Sequence, residues 1–238
     1  MKKIITCMTL AFCGLLILNI SMSQEVTSKG FKGGLNMAKF TGKDANLGAG
    51  GDNKYALNYS IGGYLTFKFN DQVSIQPELL YSVKGSKLEM SEYYSDDDFS
   101  IDVDVSMDVI LNYLELPVLA VYHHKKNVNV FGGLYFAYFM KGEIKTTGTM
   151  SLTEYGVTET EVLDETEDIS KSEIDSGFGI IFGGTYYFKE NLGIEVRYSK
   201  DFRTIDKAPD DWDSYEDGDY EEGDIKNSGF QILLTYTL

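Results

Sequence analysis

The sequence predicts an all-β fold: an eight-stranded antiparallel up-and-down transmembrane β-barrel with short periplasmic turns and long acidic extracellular loops. Three observations support this prediction. Eight segments after residue 29 alternate apolar and polar residues, which is the period of strands with lipid on one face. The links between these segments are alternately short and long. The long links after the third, fifth and seventh segments are strongly acidic.

The eight predicted strands cover about residues 30–40, 58–69, 73–88, 108–123, 128–144, 174–188, 192–205 and 230–238. Three short links are predicted as tight turns: Asn70-Asp71-Gln72, His124-Lys125-Lys126 and Lys189-Glu190-Asn191. Tight turns on one rim and long loops on the other are typical of barrels in the bacterial outer membrane. Residues 86–108 and 154–175 are predicted to be two of the acidic loops.

Residues 1–23 are predicted to be a secretory signal peptide, and residues 24–238 an outer-membrane β-barrel domain. A basic start is followed by an apolar run from residue 4 to residue 20 and by Ser21 and Ser23 at the cleavage spacing. An N-terminal membrane anchor is the alternative, because the apolar run is almost long enough to span a bilayer. Both cysteines, Cys7 and Cys13, lie in this segment, so the remaining chain has no thiolate for chemistry or metal binding.

The chain is acidic, with a formal net charge of −16. Without Lys2 and Lys3, 19 basic residues stand against 37 acidic ones. This balance argues against nucleic acid as a partner. The sequence indicates outer-membrane lipid as the surroundings of the barrel, and it predicts no cofactor.

Aromatic residues collect near both ends of the predicted strands, as expected for side chains at the two membrane interfaces. Those near the tight turns are Phe67, Phe69, Tyr122, Tyr186, Phe188 and Tyr236. Those near the long loops are Tyr81, Tyr138, Phe139, Tyr198 and Phe202. A soluble lipocalin-like, ligand-binding barrel has the same strand period with its apolar residues inside, and it remains an alternative.

Several segments resemble the PorT-like outer-membrane β-barrel protein family of Bacteroidetes-type bacteria. They are Gly30-Phe-Lys-Gly-Gly-Leu-Asn-Met-Ala-Lys-Phe, Gln76-Pro-Glu-Leu-Leu-Tyr-Ser, Leu114-Glu-Leu-Pro-Val and Gly193-Ile-Glu-Val-Arg-Tyr-Ser. The resemblance implies an eight-stranded barrel in the outer membrane. It also implies envelope or secretion-machinery proteins as partners. The chain departs from many such barrels by ending in Leu238 rather than an aromatic residue.

Four ionic residues fall on the polar, lumen-facing sides of their predicted strands: Glu78, Glu115, Glu195 and Arg197. An eight-stranded barrel is just wide enough for its side chains to fill the interior. A charge in that space needs a partner. We therefore expect Arg197 to cross the lumen and pair with Glu115 or Glu78, forming a charged plug. The cluster is interpreted either as structural packing or as a gate or proton relay.

The last acidic link offers a weak calcium candidate in Asp213, Asp217 and Asp224. Dense carboxylates can hold Ca²⁺. The spacing only partly fits a calcium-binding loop, because Tyr215 replaces an oxygen ligand and Asp224 stands where a bidentate Glu is expected. A solvated, repulsive surface loop is the alternative interpretation.

The sequence does not predict an enzyme. Its two histidines, His123 and His124, lie together at a tight-turn end, far from the acidic loops where an active site would open. No nucleophile elbow or zinc-protease helix is present either. We expect a monomeric outer-membrane protein with a structural or interaction role. A narrow porin-like channel is the alternative.

Overall fold

The structure, a computed structural model, describes residues 26–46, 51–96, 99–171, 173–205 and 224–238. It contains nine strands: β1 (Val26–Thr41), β2 (Asp52–Lys68), β3 (Val73–Asp96), β4 (Phe99–Lys125), β5 (Val128–Glu154), β6 (Val157–Ile169), β7 (Gly177–Lys189), β8 (Leu192–Asp201) and β9 (Lys226–Thr237). The predicted signal peptide, residues 1–23, lies outside these ranges. Within them, no helix is long and apolar enough to cross a membrane.

Eight of the strands close into a ring in the order β1–β2–β3–β4–β5–β7–β8–β9. The last strand pairs back onto the first, from Gly30 opposite Thr237 to Thr41 opposite Lys226. All neighbours in the ring are antiparallel. Because consecutive ring strands are neighbours, the fold is an up-and-down barrel, and the predicted fold class is confirmed.

The ninth strand, β6, lies outside the ring and corrects the prediction of long acidic loops. Residues 128–137 of β5 pair with β7 as part of the closed ring of strands. Residues 142–154 of β5 extend past the end of the ring and pair with β6. Residues 86–96 of β3 likewise pair with residues 99–109 of β4. The predicted loops 86–108 and 154–175 are thus mostly strand. We call residues 86–96, 99–108 and 142–154 together with β6 the extension sheet.

The physical reason for this error lies in the side chains of the extension sheet. Ile101, Val103 and Val105 alternate with aspartate and serine, so the strand period continues through the acidic segment. In β6 acidic residues lie on both faces, the four glutamates on one face and Asp164 and Asp168 on the other, so the alternation of apolar and polar residues is weak. High charge therefore concealed regular strands.

The three tight turns lie close to their predicted positions, at the end opposite the extension sheet. They join β2 to β3, β4 to β5 and β7 to β8. In the first turn the Asn70 Oδ1 atom accepts hydrogen bonds from the backbone N–H groups of Gln72 and Val73, both at 2.9 Å. Such an Asx turn explains why asparagine stands there. His124 and Lys125, predicted in the second turn, still belong to β4, and Lys189, predicted in the third turn, still belongs to β7.

The outward face of the ring is an apolar band. It exposes Phe31, Leu35, Ile61, Leu65, Leu79, Leu134, Ile180, Phe182, Val196, Phe230, Ile232 and Leu234. A soluble lipocalin-like barrel would place polar residues on this face, so that alternative disagrees with the structure. Two residues predicted in the aromatic belts, Phe67 and Phe139, are buried instead. Phe139 shares the inward face with Tyr135 and Ala137. Phe67 pairs with Val26 at the register shift in β1.

The interior of the barrel is divided into two halves. The half lined by β4, β5 and β7 is apolar and contains Leu119, Val121, Phe131, Tyr135, Ala137, Phe139 and Ile181. The half lined by β1, β3, β8 and β9 carries buried polar and charged side chains. Three of the predicted site residues, Glu78, Glu195 and Arg197, lie in the charged half, whereas Glu115 projects from β4.

Gly183 shows how closely the strands approach beside that half. A Cβ atom on Gly183 would lie 2.2 Å from the carbonyl oxygen of Val196 and 2.8 Å from the Cα of Arg197. No side chain fits at such distances. The glycine therefore allows β7 to pack directly against the segment of β8 that carries Arg197.

Candidate functional site

Alternation along three strands brings four charged side chains into the lumen. Lys32 projects from β1, Glu78 from β3, and Glu195 and Arg197 from β8, and each is at most 3% exposed. In the ring, β2 separates β1 from β3, and β9 separates β1 from β8. Their side chains therefore meet across the interior rather than along one strand pair.

The four side chains form a closed ring of alternating charge, which we call the ion-pair ring. Arg197 Nη1 lies 2.9 Å from Glu78 Oε2, and Arg197 Nη2 lies 2.9 Å from Glu195 Oε1. Lys32 Nζ lies 2.7 Å from Glu78 Oε1 and 2.9 Å from Glu195 Oε2. Each carboxylate thus contacts both cations. Two charges of each sign make the ring neutral, which offsets much of the cost of removing them from water.

Neighbouring polar groups complete the hydrogen bonding of the two carboxylates. Gln76 Nε2 donates to Glu78 Oε1 at 2.8 Å, and Thr185 Oγ1 donates to Glu195 Oε2 at 3.1 Å. The Lys32 ammonium also lies 5.0 Å from the centre of the Tyr64 ring. Buried charges with satisfied partners hold fixed positions. Every oxygen of the two carboxylates has a partner, whereas Arg197 Nε has no hydrogen-bond partner among the described residues.

Glu115 belongs to a second group rather than to the ion-pair ring. Its Oε1 atom lies 2.6 Å from Lys84 Nζ, and its Oε2 atom accepts a hydrogen bond from Ser82 Oγ at 2.7 Å. The chain of bonds continues from Ser82 to Ser60 at 2.8 Å and from Ser60 to Gln231 Nε2 at 3.1 Å. These residues connect β4, β3, β2 and β9, so a second polar layer crosses the barrel interior.

Lys84 also contacts the apolar half of the interior. Its ammonium lies 4.5 Å from the centre of the Tyr135 ring, and the Tyr135 hydroxyl donates to Asp201 Oδ1. Asp201 is only 2% exposed. The two polar layers and the apolar core together fill the lumen with side chains.

The structure places the four predicted residues in the lumen and divides them between two groups. Arg197 contacts Glu78 and Glu195, whereas Glu115 bonds to Lys84. Sequence reasoning missed the two lysines, Lys32 and Lys84. A signal for them was present in the alternation of the strands. Lys32 shares the polar face of β1 with Asn36, and Lys84 shares the polar face of β3 with Glu78.

His123 forms an arrangement that sequence reasoning also missed. Its Nε2 atom lies 2.9 Å from Ser74 Oγ and its Nδ1 atom 2.9 Å from Asn129 Oδ1. A serine, a histidine and an amide in line resemble a nucleophile with its base and orienting group. Ser74, however, is 0% exposed, so no substrate reaches its hydroxyl. The three residues tie β3, β4 and β5 together at the tight-turn end.

The calcium candidate lies only partly within the described chain, since Asp213 and Asp217 fall outside it. The Asp224 carboxylate accepts hydrogen bonds from Lys226 Nζ and, at 3.4 Å, from the backbone N–H of Lys43. The bond from Lys226 holds the pKa of Asp224 below its usual value. Among the described residues no three acidic, histidine or cysteine side chains stand close enough to hold a metal ion.

Comparisons with known proteins agree with this architecture. Residues 23–206 match the family described as outer membrane protein beta-barrel domain. None of the curated proteins matches the chain in sequence.

Several solved structures are similar to the chain at low identity. Ail, the attachment invasion locus protein of Yersinia pestis, is 11% identical, with 90% of this chain and 100% of that chain covered and a TM-score of 0.43. Neisserial surface protein A is 10% identical, with 88% and 97% covered and a TM-score of 0.41. The outer membrane protease OmpT from Escherichia coli is 8% identical, with 91% and 98% covered and a TM-score of 0.35. Identities this low say nothing about shared activity.

The family match covers most of the chain, including the strands that carry Lys32, Glu78, Glu115, Glu195 and Arg197. The closed ring of strands and its outward apolar band are what such a domain requires. The chain therefore belongs to the outer membrane protein beta-barrel domain family, which implies that it resides in the outer membrane.

Proposed function

We propose that this protein is a non-enzymatic interaction protein of the outer membrane, which presents its acidic extension sheet to basic segments of partner proteins. One observation carries the proposal. The described residues of the extension sheet contain 14 acidic and two basic side chains, held on four paired strands. A charged surface on a rigid scaffold is a recognition element rather than a simple solubilising loop.

The edge strand β6 concentrates this charge. It carries Glu159, Glu161, Asp164, Glu165, Glu167 and Asp168 within 13 residues and no basic residue. Within the described chain β6 pairs with β5 alone, so its other edge offers backbone donors and acceptors. Charge on an edge strand opposes pairing with a second copy of itself. The same charge favours an extended segment rich in lysine or arginine, and it supports a monomeric state.

Export and orientation form part of the proposal. We infer that residues 1–23 are removed as a signal peptide and that residues 24–238 form the mature domain. The tight turns then face the periplasm and the extension sheet faces the exterior. The motifs shared with PorT-like proteins of Bacteroidetes-type bacteria support envelope or secretion-machinery proteins as the natural partners.

The ion-pair ring favours a structural role over a channel. Its four side chains, together with Lys84 and Glu115, occupy the lumen that a porin-like channel would need. In this proposal the two polar layers form a charged plug that holds opposite walls of the barrel together.

Peptide binding to the refolded barrel in nanodiscs tests the proposal. The probe is a 13-residue peptide that alternates lysine with threonine, and the control peptide replaces lysine with glutamate. We expect the lysine peptide alone to bind, with an affinity that falls as salt rises. A variant with Glu159, Glu161, Glu165 and Glu167 changed to Gln should lose this binding. A matched variant that also removes four charges, Glu92→Gln and Asp96→Asn on β3 with Asp102→Asn and Asp104→Asn on β4, should retain it. Equal binding by both variants would contradict the role of β6.

A further inference from the structure

The extension sheet has one polar face and one apolar face. On its two central strands, β4 and β5, the polar face carries only hydroxyl and carboxylate side chains in the paired rows of Asp102, Asp104, Ser106, Thr147, Thr149 and Ser151. The opposite face of the same strands carries Ile101, Val103, Val105, Met107, Met150 and Leu152. A sheet with one apolar face normally buries that face against another element.

The apolar face continues the inward side of the barrel wall. At its base Leu88 and Val109 are buried, and Met107 packs against the hydrophobic core. Farther from the barrel this cover ends, because Met150 and Leu152 are 42% and 38% exposed. An exposed apolar patch that is continuous with the core marks a surface for a partner.

Carboxylates border the apolar face at both of its edges. Along β6 the same face carries Glu159, Glu161, Glu165 and Glu167. The register places Glu159 beside Leu152 and Glu161 beside Met150. At the other edge Glu92 of β3 lies beside Val103.

This border of charge selects among the possible occupants of the face. A second copy of the chain would bring its own glutamates against these glutamates. The link of residues 206–223, which lies outside the described residues, contains nine acidic residues and one lysine, so its charge also opposes contact. A partner with basic residues on both sides of an apolar strip has the complementary charge.

The dimensions of the face match one α-helix. Four strands about 4.8 Å apart make it about 14 Å wide, and a helix with its side chains is about 10 Å across. From Ile101 to Met107 the strand is about 20 Å long, which equals about 13 residues of helix. Helical residues four apart are separated by about 6 Å, close to the spacing of about 6.6 Å between Glu159 and Glu161 on β6.

We propose that the apolar face of the extension sheet binds a basic amphipathic helix of a partner protein. The apolar side of the helix packs on Val103, Met150 and Leu152. Lysine or arginine residues on its flanks pair with the glutamates of β6. This site goes beyond the proposed binding of extended basic segments at the β6 edge, although the two share those glutamates.

Peptide binding to the refolded barrel in phosphatidylcholine nanodiscs tests this site. The probe is a 14-residue helical peptide with leucine along one side and lysine on both flanks. The control peptide has the same composition in scrambled order, and empty nanodiscs measure binding to lipid alone. We expect the amphipathic peptide to bind the barrel at least about tenfold more tightly than the scrambled peptide. Equal binding of the two peptides would overturn the proposal.

Two matched variants separate the faces of the sheet. Val103→Thr with Met150→Thr and Leu152→Thr makes the apolar face polar with a residue that favours strands, and it should weaken binding of the amphipathic peptide about tenfold or more. Tyr93→Thr with Val162→Thr removes two side chains, 71% and 72% exposed, from the opposite face and should leave the binding unchanged. An equal effect of the two variants would overturn the assignment of the helix to the apolar face.

A second measurement on the variant with three threonines separates this proposal from the role of the β6 edge. That variant should still bind the peptide that alternates lysine with threonine, which also shows that β6 remains folded. Loss of that peptide from the unmodified barrel would contradict the role of the β6 edge alone. A rise of about tenfold in affinity for the amphipathic peptide, after residues 206–223 are replaced by a glycine–serine link, would assign the face to the chain's own link and overturn the proposal. A dimer of the unmodified barrel that the three threonines dissociate would overturn it in favour of a second copy.

Discussion

Arg197 on β8 and Glu78 on β3 contact each other across the barrel interior, with 2.9 Å between Nη1 and Oε2. Both side chains are fully buried. Each also contacts a second partner of opposite charge, Glu195 for Arg197 and Lys32 for Glu78. The stability of the barrel should therefore depend on the ring as a unit.

Removing Arg197 should be strongly destabilising. Arg197→Met leaves two buried carboxylates with only Lys32 as a cation, and breaking a buried ion pair costs about 3–5 kcal/mol. The double variant Arg197→Met with Glu78→Gln should be less destabilised than the sum of the single variants, by about 1 kcal/mol or more. Urea unfolding in lipid vesicles measures these free energies.

Arg203 provides the control for this prediction. Its guanidinium lies 3.3 Å from Asp175 in an exposed ion pair, so Arg203→Met should change stability by at most about 1 kcal/mol. Strict additivity of the Arg197 and Glu78 changes would contradict the coupling that the ring implies.

The glycine doublet of β7 should respond asymmetrically to alanine. Gly183→Ala places a Cβ atom 2.2 Å from the Val196 carbonyl oxygen, a clash with backbone that we expect to cost about 1–3 kcal/mol. At Gly184 the nearest atom, the Asn129 carbonyl oxygen, would lie 3.1 Å away, so Gly184→Ala should cost less. The same unfolding assay compares them. Equal effects at the two positions would show that the close approach of β7 and β8 is incorrect.

Glu89 in the extension sheet should titrate at unusually low pH. Hydrogen bonds from Lys54 and Lys87 lower its pKa from 4.5 to about 2, and its carboxylate is exposed. Because the folded-state pKa is depressed, the contribution of these contacts is present above pH 4.5 and is lost as the pH falls toward 2. Carbon-13 NMR of the carboxyl group measures this pKa. Lys54→Met with Lys87→Met should raise it toward 4.5, and an unshifted value in the unmodified protein would rule out the contacts.

The period-two pattern predicts the barrel because it shows which side chains of a strand point to lipid and which point to the lumen. A membrane-spanning strand requires this alternation. It places Glu78, Glu115, Glu195 and Arg197 on inward faces for the same reason. Partner choice is different, because contacts across a closed ring join residues as far apart as Lys32 and Glu195. Alternation along one strand does not show which residue of a distant strand a lumen-facing side chain contacts.

The lysine partners and the extension sheet were missed for separate physical reasons. Lys32 stands in a glycine-rich segment whose short side chains weaken the alternation around it. Strand β6 carries acidic residues on both faces, so its sequence pattern resembles that of a loop although it forms a full ladder with β5. Lys84, by contrast, follows the polar alternation of β3, and only its pairing with Glu115 could not be predicted from that alternation.

The central claim is that an outer-membrane barrel with a filled, charged lumen acts through its extension sheet and not through a pore. Conductance across a planar bilayer tests this claim most directly. We predict that the unmodified barrel gives no steady unitary openings. Glu195→Ala and Arg197→Ala combined with Lys84→Ala and Glu115→Ala, which remove charges from both polar layers and leave the neutral Lys32–Glu78 pair, should produce them. Steady openings of the unmodified barrel, unchanged in that variant, would contradict the account.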